Sequence, residues 1–262
     1  MKINKKILIL SLIVAVLSAI VLIIFINNNL PVVDNNQPEN EVDVYNYSGE
    51  RILYLISPLG RAEYNNLGVV NLNGAKVNLV TLRTKVLLVD DLEKIYSDPV
   101  SLLPIKIERT ISSLFGKEYK TEEYDQKDHT VVMRKFKGKK LIKEQIIKAD
   151  GPIQNVILLL FYLRNYPELK IGWNLIVRVP DEFKAELALI KLKLVSIDEI
   201  KTPAGKFQAY HFKSIPDKFE FWINKDDPRV PLRIKIKSII DFNVLMKKYS
   251  INNNFSKIKA KL

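Results

Sequence analysis

The side chains with the chemistry to act are few. There are two histidines, His129 and His211, and no cysteine. His129 closes the polar run Asp125-Gln126-Lys127-Asp128-His129, where two carboxylates and an imidazole stand close together. Their spacing matches no familiar metal-ligand set, and the run reads as a solvated turn ahead of a strand. His211 lies in the alternating stretch Phe207-Gln208-Ala209-Tyr210-His211-Phe212 and reads as a strand histidine. A Ser-His-Asp triad needs its nucleophile on a strained elbow, and the chain has no G-x-S-x-G. Asp90, Asp91, Glu93 and Asp98 form an acidic cluster. Paired carboxylates hydrolyse glycosides at defined separations, but nothing in the sequence fixes a separation here. A role at a turn and a strand end is the plainer reading. P-loop and G-x-G-x-x-G phosphate cradles are absent. Without cysteine the chain has no disulfide, thiolate metal site, cysteine nucleophile or lipobox. Neither a metal nor a cofactor is expected.

Two arginines stand out. Arg164 ends an apolar segment, and Arg229 adjoins Asp226 and Asp227. A buried guanidinium must be paired, so one of them is expected to clamp onto Asp91, Asp98 or Asp227.

The elements that would position these groups are mostly strands. Arg51 to Ser57 is a β-rich run, and Val69 to Leu72 stops at Asn73-Gly74, a strong hairpin signal. Lys76 to Val89 alternates loosely up to an expected turn at Asp90-Asp91. Thr130 to Phe136 leads into Lys137-Gly138-Lys139. Trp173 to Val179, Glu186 to Ile200, Lys206 to Lys213, Glu220 to Ile223 and Leu232 to Ile240 complete the series. Phe219, Phe221 and Ile223 share one face, as do Leu232, Ile234 and Ile236, the mark of half-buried antiparallel strands. Thr202-Pro203-Ala204-Gly205 fits a tight turn in which Pro203 fixes φ and Gly205 accepts a positive one. Asp226-Asp227-Pro228 suits another. One segment differs. Ile153, Val156, Ile157, Leu160, Phe161 and Arg164 fall at helical spacing after Gly151-Pro152, and Leu158, Leu159 and Tyr162 make that helix apolar nearly all round, so it must be buried. The expected fold is mainly β: a large curved antiparallel sheet or open barrel with one buried helix.

The N-terminus adds a further expectation. Ile7 to Ile26 carries no charge, and about twenty residues at ~1.5 Å each reach ~30 Å, the thickness of a hydrocarbon core. The run is longer than a signal-peptide core and lacks a small-residue cleavage site. It therefore reads as a transmembrane signal anchor, with residues 1–26 as cytoplasmic stub and anchor. Lys2, Lys5 and Lys6 precede it, and no Lys or Arg follows before Arg51. That asymmetry places the N-terminus in the cytoplasm and the domain outside the cell membrane, periplasmic or extracellular. Residues 27–46, rich in Asn with Pro31 and Pro38, read as a flexible linker. Residues 47–250 form the β-rich domain, and 251–262 a basic tail. The net charge of +12 is carried largely by lysines alternating with apolar residues, which is a strand's solvated face rather than a nucleic-acid site.

Several motifs together resemble the bacterial family called domain of unknown function 3108. They are Gly49-Glu50-Arg51-Ile52-Leu53-Tyr54; Val89-Asp90-Asp91 through Tyr96-Ser97-Asp98 to Leu103-Pro104; Phe161-Tyr162-Leu163-Arg164 with Leu169-Lys170-Ile171-Gly172; Ile200-Lys201-Thr202-Pro203-Ala204-Gly205-Lys206-Phe207; and Phe221-Trp222-Ile223 with Asp226, Asp227, Arg229, Val230, Pro231 and Leu232. The likeness covers roughly residues 48 to 250. It implies an exported, mostly antiparallel β domain and no particular activity. The chain departs from the pattern at Asn155 and Leu158, where an acid and a small hydroxyl are usual, at Trp173, and around Asp241-Phe242-Asn243, where a glycine is usual.

These readings weigh against an enzyme. The leading expectation is a membrane-anchored extracytoplasmic protein that binds a lipid-like or other hydrophobic ligand in a groove of the sheet. Ile157, Phe161, Arg164, Trp173 and Trp222 are the expected ligand contacts. Asp91, Asp98, Pro203, Gly205, Asp227 and Arg229 are expected to be structural. The expected partners are the membrane, through the N-terminal helix, and the hydrophobic ligand or an envelope protein. The alternatives are a module that binds an envelope protein or the cell-wall polymer through its basic face, and an envelope hydrolase using Asp90, Asp91 or His211.

Overall fold

The computed structural model describes residues 44–46, 49–57, 60–114, 116–166, 168–181, 186–237 and 241–251. They form one antiparallel sheet. In chain order the strands are β1 (Val44–Asn46), β2 (Glu50–Ser57), β3 (Gly60–Leu72), β4 (Ala75–Val86), β5 (Val89–Ser97), β6 (Pro104–Ser113), β7 (Gly116–Asp125), β8 (Thr130–Lys137) and β9 (Lys140–Lys148). After the helix α1 (Val156–Tyr162) and a 3-10 turn (Leu163–Asn165) come β10 (Asn174–Asp181), β11 (Glu186–Thr202), β12 (Gly205–Ile215), β13 (Phe219–Asn224), β14 (Pro231–Ile236) and β15 (Phe242–Ile251). The sheet order is β10-β11-β12-β13-β14-β15-β2-β3-β4-β5-β6-β7-β8-β9, with β1 paired to β3 off this path.

Fourteen strands thus curl into a nearly closed barrel. Its edges are β9 and β10, and the segment between them spans the gap. Ile153 makes a parallel bridge to Arg178 of β10, and Gln154 N donates to Arg178 O at 2.8 Å. Gln126, in the turn after β7, holds the same segment from the other side: Ile153 N donates to its Oε1 at 3.1 Å, and its Nε2 donates to Ile153 O at 2.9 Å.

Period-two alternation gives the barrel its inside. Ile52, Tyr54 and Ile56 of β2, Leu192 and Leu194 of β11, and Phe221 and Ile223 of β13 point into a common core. The helix lies within it, with Leu158, Leu159, Leu160 and Phe161 buried. At seven residues it is too short to be stable alone. Packing on every side sustains it, and the Asn155 side chain caps it by accepting from Ile157 N and Leu158 N. The helical spacing expected from Ile153 onward begins only at Val156, because Ile153 is spent on the bridge to β10.

The expected N-terminal transmembrane helix is corrected. Among the described residues no helix is long and apolar enough to cross a membrane. The α-helix among the described residues has seven residues and spans about 10 Å, against the ~30 Å of a hydrocarbon core. Residues 7–26, on which the anchor was placed, lie outside the described residues. The single-pass topology, the cell-membrane localisation and the membrane as a partner through that helix are therefore not carried forward. Val44–Asn46, at the end of the span read as linker, forms β1 against β3.

One turn also differs from expectation, and another is as expected. The β4–β5 reversal falls at Leu87-Leu88, with Val86 paired to Val89, and not at Asp90-Asp91. The Thr202–Gly205 corner is a two-residue turn, in which Ala204 N donates to Thr202 Oγ1 at 3.1 Å and Gly205 takes a φ of 139°.

Candidate functional site: an apolar cavity under the helix

Between α1 and the wall formed by β13, β14, β15, β2, β3 and β4 lies a cavity of about 320 Å3. Tyr54, Tyr64, Leu160, Phe161 and Phe221 line it together with Ile56, Leu82, Ile157, Ile234 and Val244. Thr84, Phe219 and Ile236 lie where β4 and β14 end and β13 begins, which places them at one end of the barrel. The walls are almost wholly carbon. The Tyr54 hydroxyl donates to Pro231 O at 3.2 Å. Burial pushes the phenols of Tyr54 and Tyr64 well above their ordinary pKa, so both stay neutral. Tyr64 and Phe161 stack with centroids 3.9 Å apart.

Beside this cavity sits one buried charge pair. Arg164 donates through Nη1 to Glu50 Oε2 at 3.0 Å, and its Nη2 is 2.8 Å from Oε1. The first contact is a directed hydrogen bond and the second is ionic. The guanidinium carbon also lies 5.4 Å from the Phe161 ring centre. Burial pulls the Arg164 pKa down, and the hydrogen bond and charge of Glu50 more than offset it.

The expected ligand contacts fall into three places. Ile157 and Phe161 line the cavity. Arg164 is held by Glu50, not by an aspartate. Trp173 packs edge-on between Tyr166 and Phe212, with centroids 5.0 and 5.9 Å away, and so pins the chain after the helix to the core. Trp222 faces outward. His211 stacks on its indole at 4.2 Å, and the Arg233 guanidinium covers it 4.8 Å from the ring centre.

The residues expected to be structural are dispersed. Arg109 grips Asp91 through Nε at 3.1 Å and Nη2 at 2.7 Å, and also reaches Glu93 at 3.1 Å. Asp98 accepts from the amides of Val100 and Ser101 in the β5–β6 turn. Pro203 and Gly205 make the β11–β12 turn. Arg229 donates to Tyr166 O at 2.6 Å, and Asp227 stands 3.9 Å away.

The same geometry argues against the hydrolase. Asp90 is on the outer wall, held by Arg83 at 2.6 Å and Lys85 at 2.8 Å, while Asp91 faces inward to Arg109. His211 is on the outer face of β12, with Nδ1 3.0 Å from Asp198 and Nε2 3.0 Å from Glu220. Both ring nitrogens face carboxylates, and Ser196 Oγ also stands 3.2 Å from Nδ1, so the imidazole is tied into a side-chain cluster of the barrel wall. Burial works to raise Asp198 and Glu220, but hydrogen bonds, led by Trp222 on Asp198 and Lys237 on Glu220, hold both below the usual carboxylate range. Among the described residues no group of His, Asp and Glu is arranged to hold a metal. The reading as a hydrolase is therefore set aside together with the membrane anchor.

The strand order and the internal helix define the chain as an antiparallel β-barrel domain with its helix folded inside. It belongs to the family described as "Protein of unknown function (DUF3108)", whose model matches residues 70–247. Among solved structures it is similar to the crystal structure of a beta-barrel-like protein of domain of unknown function DUF1849 from Brucella abortus. The identity is 10%, the match covers 79% of this chain and 99% of that one, and the TM-score is 0.49. No curated protein matches.

Proposed function

We propose that this domain is a non-catalytic binding module that seats an apolar group of its partner molecule in the cavity under α1. One observation carries the reading: a 320 Å3 space, open at one end of the barrel, whose walls are carbon from six strands and the helix. That is room for on the order of ten water molecules at ~30 Å3 each, but a site without polar partners does not hold water. Left empty, the wall atoms forfeit their dispersion contacts, and an apolar guest restores them. The volume and lining are those of small-molecule sites. Ile157 and Phe161, which α1 presents to this space, are the contacts assigned to the guest.

The test uses the full chain with 1-octanol as the probe, followed by calorimetry. The expected result is saturable one-to-one binding that disappears in Ile157→Trp, whose indole occupies the space, with the fold checked by circular dichroism. Lack of binding by the parent protein, or unchanged binding by the folded variant, would overturn the reading. Native mass spectrometry of the protein as purified would identify a retained guest.

A further inference from the structure

We propose a second binding site on the outer wall of the barrel: a basic groove across β15, β2, β3 and β4 that takes a phosphate-bearing anion. The groove has a volume of about 400 Å3. Arg51, Arg61, Arg83, Lys85 and Lys247 converge on it, over a floor that includes Leu53 and Leu55. It lies on the opposite face of the strands that wall the apolar cavity, and so it is independent of the function proposed there.

Three observations point to a ligand. First, the positive charge is in excess. Glu63 answers Arg51 at 2.9 Å, and Asp90 answers both Arg83 and Lys85. Arg61 and Lys247 have no hydrogen-bond or ion-pair partner among the described residues. Second, Arg61 stands directly across from Lys85 in the β3–β4 register. Like charges at opposed positions destabilise a sheet, and an anion lying between them removes the cost. Third, the β15–β2 register shifts between Met246 and Lys248, so Lys247 is the extra residue of a bulge. Bulges re-aim a side chain at the expense of local pairing, and this one delivers a cation to the groove. Three guanidiniums favour an oxyanion, which their planar forks bind in pairs, and a net excess of cations favours one carrying more than a single charge.

The chemistry is that of a phosphate group, carried either by a small molecule or by a polymer. The experiment titrates the full chain at low salt with inorganic pyrophosphate and, separately, with linear polyphosphate. Saturable one-to-one binding of pyrophosphate is expected, weakened about tenfold or more, or ~1.4 kcal/mol, in the double variant R61A/K247A. Neither residue has a partner to lose, so the melting temperature should hold. A second double variant, K206A/K225A, removes the same charge from the opposite end of the barrel and should bind as the parent does. Polyphosphate that binds no more tightly than pyrophosphate assigns the site to an isolated group, and tighter binding assigns it to a chain running along the groove. Absence of saturable binding, an unaffected R61A/K247A, or equal weakening in K206A/K225A would sink the site, the last by tracing the attraction to the net charge of +12.

Discussion

The pair with the most at stake is Arg164 and Glu50. Side chains 114 positions apart meet at 3.0 Å among aliphatic and aromatic neighbours, and Glu50 is only 7% exposed. Removing one member leaves the other charge buried without compensation, at a cost of about 3–5 kcal/mol. Arg164→Ala is therefore expected to lower the urea midpoint by that equivalent, and a variant with an unchanged midpoint would show the pair to be incidental. The sequence indicated that Arg164 would need a carboxylate, but it did not indicate which. Glu50 is an ordinary acid at the start of a strand, and only the closure of the barrel brings it to the helix end. Trp222 shows the opposite failure. A tryptophan in an alternating strand has two faces to choose from, and the outer one is made habitable by His211 on one side of the ring and Arg233 on the other.

At the scale of elements, turn chemistry was legible where it is demanding. Asn73-Gly74 closes β3–β4 with φ of 52° and 88°, the positive-φ pair of a two-residue hairpin. A Cβ on Gly74 would meet nothing within 4 Å, so the whole penalty of Gly74→Ala is conformational, about 1–2 kcal/mol. A thermal melt would show it, and an unchanged melt would mean the turn relaxes to another type. Leu87-Leu88 carries no such signature. It makes a turn of two leucines, 73% and 66% exposed, because Val86–Val89 pairing and the Asp90 contacts with Arg83 and Lys85 fix the register from outside the turn. Strands β5, β6, β7, β9 and β15 escaped the sequence reading. For β7 the reason is physical: Glu122 borders a second recess beside α1, and its inner row is charged, so the apolar alternation that marks a strand is missing.

For the whole molecule, the carboxylates set the acid limit. Hydrogen bonding by Arg83 holds Asp90 far below the usual range, while the Ser101 amide lowers Asp98 and Arg178 lowers Asp150. A group whose pKa is depressed by folding stabilises the native state above its unfolded value, ~3.9 for aspartate. That contribution is lost as the pH falls toward the folded value. The urea midpoint is thus expected to be flat down to about pH 4, near that unfolded value, and to drop below it. Asp90→Asn should begin lower and drop less. A midpoint that rises on acidification would contradict this. The β class, the internal helix and the family could all be read from the sequence, whereas the order of strands could not, because alternation identifies a strand's faces and not its neighbours.

That order has a consequence of its own. Written on a circle, the strands from β2 to β15 follow the chain without a single transposition, but the circle is cut twice. The backbone is interrupted between β15 and β2, where Ile251 and Glu50 stand opposite each other in the ladder. The hydrogen-bonded sheet is interrupted between β9 and β10, where the backbone runs through. The stretch bridging this second cut is the one that carries α1. The barrel's one unstitched seam is therefore tethered by its own filling. Widening the seam must drag on the helix, and anything that swells the space beside the helix must strain the seam, so the barrel's girth and the occupancy of its interior are mechanically a single variable.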